Sequence, residues 1–243
     1  MIRDLMRRRP FLWMVLAWIV MEIPFLPSAF RVDDPNILAI AKQIFHSPLD
    51  PYGFHINWLG TPAPGFDVLA NPPLVSGWLA TWHLLFPWNE ISFHIAMIPF
   101  SLLAMHAFGV LANFFRVDRW LAIVLLCCSP AFFLGSQVVM PDVAMLSLFL
   151  LALAYAALYE EQGYQSQSFI AFLAGFLCPL TKYNGIVVFP LLLWLFVRSQ
   201  RKRGMAAVAL APAISLLLWN VLTSIKYGRM HFLAMAAFEQ EMG

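Results

Sequence analysis

The sequence predicts an all-α, polytopic integral membrane protein of about seven transmembrane helices, with two further helices lying along the membrane surface in its first external loop. Three observations carry that class. Of 243 residues, 61% are hydrophobic and 12% charged, with a mean hydropathy of +0.75; soluble domains run nearer about 45–50% and about 25%. The apolar residues are gathered into runs close to the ~20 residues a bilayer crossing needs. Lys and Arg cluster between those runs in a way that sets one orientation. A formal net charge of +2 argues against a basic nucleic-acid binder, so no nucleic-acid partner is expected.

Along the chain, the predicted spans are 11–30, 91–115, 120–139, 143–159, 169–180, 186–197 and 206–225. Pro24 and Pro27 loosen the far end of the first. The basic N-terminus precedes a long apolar stretch with no small-residue cleavage site, the pattern of a retained anchor. The fifth and sixth spans are short and flank Thr181-Lys182-Tyr183-Asn184-Gly185, so both are expected to end at a shared membrane-level pocket. Cys127, Cys128 and Cys178 lie in apolar runs and give no disulfide framework.

The segment 72–88 is the ambiguous one, and loop charge decides it. If it does not span, Arg116 and Arg119, and Arg198, Arg201, Lys202 and Arg203, fall on the same side as Arg3, Arg7, Arg8 and Arg9. That places the N-terminus in the cytoplasm and the C-terminus outside. It divides the net charge of +2 into +6 inside and −4 on the outer side. Residues 31–90 then form one external loop. Within it Asp34-Pro35 reads as an N-cap and first helical proline. Ile37, Ile40, Ala41, Ile44 and Phe45 follow as a one-sided apolar stripe. The second surface helix, 72–88, carries Trp78, Trp82 and Trp88 at headgroup level. Two such helices roof the bundle and point to a site on the outer face.

Ionisable residues near a membrane are costly and therefore informative. On this topology Asp33 and Asp34, the turn from Asp50 to His55, Asn71-Pro72-Pro73, Asp142 and Lys182 meet at the outer level, with Glu22 just below. Carboxylates and a lysine at one depth suit general-base chemistry beside an anionic group. Each also has a structural reading. Asp34 can be a helix cap, Asp142 can favour a helix dipole, Lys182 can snorkel, and Asp50 and Tyr52 can build a turn. Of the six histidines only His55 is kept as a site candidate; the others are read as structural. No phosphate-binding glycine loop, nucleophile elbow or Cys-x-x-Cys is present.

Four passages together resemble the GT-C superfamily of polyprenyl-phosphate-dependent membrane glycosyltransferases. The likeness is to the branch of protein O-mannosyltransferases and the lipid A aminoarabinose transferase. These passages are Arg31-Val32-Asp33-Asp34-Pro35, Ala70-Asn71-Pro72-Pro73-Leu74 with Trp78, Met140-Pro141-Asp142-Val143, and Leu180-Thr181-Lys182-Tyr183-Asn184-Gly185. Two departures are visible: Asp34 stands where many relatives have Glu, and Asn71 where several have Lys. The resemblance implies one GT-C-like transmembrane module over residues 1–243, with the C-terminal part of the family's fold lying beyond it. It implies a bacterial inner (plasma) membrane location with the active face periplasmic or extracellular. It also implies transfer of a sugar from a polyprenyl-phosphate donor to a protein, lipid or glycan acceptor. Asp33 and Asp34 match the catalytic acidic pair, with Asp33 as base on the acceptor hydroxyl. Lys182 would steady the departing phosphate, and Asp142, Tyr183, Asn71, Tyr52 and His55 would line the substrate site. No cofactor is required by the resemblance, and a divalent cation is left open. The alternatives are a non-catalytic membrane subunit that binds lipid or a partner protein, and a small-solute transporter.

Overall fold

The computed structural model describes residues 10–31, 33–58 and 60–242. Arg3, Arg7, Arg8 and Arg9, on which the cytoplasmic placement of the N-terminus rests, lie outside the described residues, as does Val32 of the first acidic passage. The helices are α1 (Pro10–Glu22, continued by a 3₁₀ turn Ile23–Phe25), α2 (Asp34–His46), α3 (Gly65–Val68), α4 (Leu74–His83) and α5 (Glu90–Phe114). Then come α6 (Arg119–Cys128), α7 (Pro130–Ser136), α8 (Pro141–Gln162) and α9 (Gln165–Thr181). A 3₁₀ turn (Tyr183–Val187) leads into α10 (Val188–Arg198), and α11 (Lys202–Tyr227) and α12 (His231–Met242) close the chain. A two-residue antiparallel pair, β1 (His55–Ile56) with β2 (Ala63–Pro64), interrupts the otherwise helical architecture.

Each predicted apolar segment falls on a helix, but the segments are not equivalent. α5, α8 and α11 are long and apolar enough to cross a membrane, and α6 with α7 offers a fourth crossing bent by 68°. That bend corrects the expected continuous span 120–139. Pro130 holds Ser129 extended (φ −66°, ψ 123°), because the residue before proline is driven out of the helical region. A capping aspartate starts α6: the Asp118 carboxylate accepts the Leu121 N–H at 2.8 Å. Left-handed glycines stop α8 and α11 at Gly163 (φ 78°) and Gly228 (φ 74°). α12 lies beyond the last predicted span, which ends at residue 225.

α8 is the hub. It packs along α9 on one side and α5 on the other, and α9 in turn lies against α11. Ala152, Ala154, Ala156 and Ala157 of α8, with Ala171, Ala174 and Gly175 of α9, keep the helix axes close, the small-residue device that replaces the hydrophobic effect in lipid. Leu210, Ile214, Leu217, Leu218, Leu222 and Ile225 of α11 face outward and exposed, as a surface meeting acyl chains requires. α2 and α4 cross over the α5 and α8 ends through Ile37, Val75, Leu79, Phe93 and Ala144. The tryptophans of α4 are pinned to α5: Trp78 Nε1–H donates to the Ala96 carbonyl at 2.8 Å and Trp82 Nε1–H to Ser92 Oγ at 3.0 Å.

The junction between α9 and α10 is built by close approach. A Cβ on Gly185 would sit 2.6 Å from the Cys178 carbonyl oxygen, which also accepts the Thr181 hydroxyl at 2.6 Å. Cys178 Sγ reaches the Gly185 carbonyl at 3.5 Å, sealing the same turn. Gly185→Ala must move backbone, so it should cost about 1–3 kcal/mol and lower the thermal midpoint in detergent. An unchanged midpoint would show that the junction is looser than this packing.

Candidate functional site

Asp33 and Asp34 are neighbours with opposite surroundings. Asp34 opens α2 and is fully buried; its carboxylate accepts the Arg31 N–H at 2.9 Å and the Val139 N–H at 3.0 Å. Burial raises its pKa, while the two backbone donors pull in the other direction by solvating the anion. Asp33, not Asp34, occupies the N-cap position, and no side-chain capping bond is made there. The capping role expected of Asp34 is therefore replaced by a tertiary one, joining residues 105 apart in sequence. The Asp33 carboxylate, half-buried, has no hydrogen-bond or ion-pair partner among the described residues.

Asp33 borders a cavity of about 180 Å³ together with Asn36, Trp58 and Asn71. Leu69 and Ala70 continue its wall. Val68 and Phe238 separate it from a wider cavity of about 790 Å³ that carries the Arg229–Asp67 ion pair. On its other side the wall turns from polar to apolar within three residues. Asn71 faces the cavity, whereas Pro73 and Leu74 line an apolar groove of about 630 Å³ with Trp78, Leu177, Leu180 and Trp219. Across Asn71-Pro72-Pro73 the cavity and the groove are at most about 7 Å of chain apart.

Lys182 and Asp142 are brought together, with Lys182 Nζ 2.8 Å from Asp142 Oδ1. Asp142 lies three residues beyond Val139, which holds Asp34. Neither lines the Asp33 cavity. The expected single cluster is thus a polar cavity around Asp33 and Asn71 and a separate ion pair two residues beyond the groove residue Leu180. His55 lies exposed on β1 and joins neither. Glu22 is buried and accepts the Ser136 hydroxyl at 2.8 Å, tying α1 to α7.

Tyr52 and Tyr183 meet through a residue the sequence reading set aside. His231 is fully buried and stacks on Tyr52 with ring centroids 4.6 Å apart. Trp219 Nε1–H donates to the Tyr183 hydroxyl oxygen at 3.0 Å, and the same oxygen lies 2.5 Å from His231 Nδ1. An indole can only donate, so Tyr183 donates its proton to Nδ1 and His231 carries its own on Nε2, a buried nitrogen with no hydrogen-bond partner among the described residues. Burial lowers the His231 pKa to about 4, and the Leu69 backbone partly offsets this. Tyr52 is strapped down as well. Its N–H donates to Tyr227 Oη at 3.1 Å, Tyr227 donates to Asp50 at 2.7 Å, and the Tyr52 hydroxyl donates to the Asn71 carbonyl at 2.7 Å. The loop that carries Asn71 is thereby fixed to the end of α11. Among the described residues no group of three or more His, Cys, Asp or Glu side chains is placed to hold a metal ion.

No protein-family model matches the sequence, and no curated protein does. Among solved structures, the crystal structure of ArnT from Cupriavidus metallidurans bound to undecaprenyl phosphate matches with a TM-score of 0.64 at 15% identity. The match covers 88% of this chain and 42% of that one, so this chain spans less than half the length of its structural neighbour. At that identity the likeness shows a shared fold over the matched part of the ArnT chain.

Two outcomes test this geometry. Asp34→Ala strands a buried backbone donor and should cost about 2–4 kcal/mol, with Asp34→Asn retaining part of that; an Asp34→Ala chain as stable as wild type would remove the tether. His231 binds a proton near pH 4 when folded and near 6.5 when unfolded, so the unfolded chain takes the proton first as pH falls. Wild type should therefore lose about 3 kcal/mol relative to His231→Gln as pH drops from 6.5 to 4. Parallel stability curves for the two proteins would contradict a neutral, buried His231.

Proposed function

We propose that this protein is a membrane glycosyltransferase that moves a sugar from a polyprenyl-phosphate donor to an acceptor hydroxyl at the outer face of a bacterial inner membrane. The observation that carries the reading is the shared wall at Asn71-Pro72-Pro73-Leu74, with a carboxylate-bearing polar cavity on one side and a long apolar groove on the other. An amphiphile whose apolar tail is joined through phosphate to a sugar has these two parts in this order. The undecaprenyl phosphate bound in the ArnT structure is such a tail and phosphate without the sugar.

In this reading the tail lies in the groove and the sugar enters the cavity. Asp33 takes the proton from the acceptor hydroxyl as its oxygen bonds to the anomeric carbon. The bond from that carbon to the phosphate oxygen breaks, and the lipid leaves as polyprenyl phosphate. A carboxylate with no partner is the group suited to accept that proton, whereas the Asp34 carboxylate is already filled by two N–H donors. Asp34 then serves the pair by holding Asp33 in place. Lys182 meets the leaving phosphate. Its bond to Asp142 is no obstacle, since both side chains are part-exposed (28% and 44%) and such pairs contribute only about 0–1 kcal/mol. Tyr183, Tyr52 and Asn71 support the site through the His231 cluster. Seven membrane crossings, with α2 and α4 in the outer interface, belong to the same proposal.

A second reading, a lipid-binding membrane subunit without activity, draws on one observation: the Lys182–Asp142 pair does not line the Asp33 cavity. One variant separates the two. Asp33→Asn should leave stability within about 0.5 kcal/mol and undecaprenyl-phosphate binding intact. It should reduce transfer from an undecaprenyl-phosphate sugar about 10²–10⁴-fold. Full transfer by the variant would sink Asp33 as the base; binding of the lipid with no turnover by wild type would favour the subunit.

A further inference from the structure

Asn36 is the unexplained residue of the cavity. It lies one turn after Asp33, its N–H donating to the Asp33 carbonyl at 2.9 Å, and it borders the same space. The residue is 92% buried, since 8% of its surface remains exposed, yet its Oδ1 is buried with no hydrogen-bond partner among the described residues. Burying an amide oxygen unpaired is destabilising, and the apolar residues Ile37, Leu38, Ile40 and Ala41 already supply the packing of α2. A second polar group, the Asp33 carboxylate, is equally unpartnered in the same wall. Asn71 adds a third polar residue, and the remaining wall is apolar (Ile37, Ile40, Leu69), with the Trp58 indole beside it.

We infer that this cavity is a subsite for one neutral sugar ring and that Asn36 is its specificity-determining residue. The inference rests on the proposed glycosyl transfer and names what that site recognises. A carboxylate accepts but does not donate, so it disfavours an anion and suits a hydroxyl. An amide both donates and accepts, which is what a hydroxyl needs from a partner. The aliphatic and indole walls suit the C–H faces of a pyranose or furanose. The volume, about 180 Å³, is that of roughly six water molecules at ~30 Å³ each, about the displacement of a single ring.

The test compares undecaprenyl phosphate with undecaprenyl phosphate carrying one hexose or one pentose, binding to the full chain in lipid nanodiscs. Wild type should bind the better of the sugar-bearing lipids about tenfold more tightly than the unglycosylated one, the worth of one well-made hydrogen bond. Asn36→Leu should abolish that preference, keep the affinity for undecaprenyl phosphate, and raise the unfolding temperature, because it removes an unpaired buried amide oxygen. Asn36→Ser, which restores a hydroxyl, should recover part of the preference. Equal affinity of wild type for all the lipids would overturn the subsite while leaving the lipid reading intact. A preference that survives Asn36→Leu, or a fall in its unfolding temperature, would overturn the role of Asn36. Failure of wild type to bind any of the lipids would defeat the proposed function and the subsite with it.

Discussion

The Asp34 carboxylate is the constraint on which the outer half of the molecule depends. A charged group with no exposure must be solvated by the protein itself, and this one is solvated by backbone N–H groups of Arg31 and Val139. The first fixes the turn into α2. The second docks that turn on the residue just before α8, the hub of the bundle. Once that contact is made, Asp33 has one direction left, into the small cavity, and Asp142 is held a few residues from the turn. Adjacent aspartates thus divide two incompatible tasks. The Asp34 carboxylate is saturated by backbone donors, whereas the Asp33 carboxylate has no partner among the described residues.

A second set of contacts fixes the opposite wall. Tyr227 links Asp50 and the Tyr52 backbone, and Tyr52 in turn holds the Asn71 carbonyl. His231 stacks on Tyr52 and receives Tyr183, whose neighbour Lys182 ends α9. The cavity is therefore lined by segments from several regions of the sequence, held by main-chain and aromatic contacts, with the part-exposed Lys226–Asp50 and Arg229–Asp67 pairs beside them. Rigid surroundings of this kind are what proton transfer at hydrogen-bond range demands.

Much of this was legible in the sequence, and what was missed follows a pattern. The stripe of Ile37, Ile40 and Ala41 behind Asp34-Pro35 gave α2 because helix period and start signal are local. The apolar runs gave α5, α8 and α11 for the same reason. The break at Ser129 was legible too, in Pro130, and was passed over because hydropathy averages across it. His231 was not legible. Its partners lie 48 residues away at Tyr183 and 179 away at Tyr52, and a lone histidine carries no spacing signal. Asn36 was hidden by its position, since a polar residue in a first helical turn ordinarily needs no explanation. Only burial without a partner marks it.

Two consecutive prolines explain how one short stretch can serve two such different environments. Pro72 and Pro73 fix two backbone angles and donate no N–H, so the segment between Asn71 and Leu74 cannot slide into a helix or pair with a strand. α4 starts immediately after it, with Leu74 already directed to the groove, while Asn71 is held at the cavity by the Tyr52 hydroxyl. A flexible divider would let the polar and apolar spaces merge and admit water along the groove. A rigid one keeps the apolar groove and the polar cavity distinct, at most about 7 Å of chain apart.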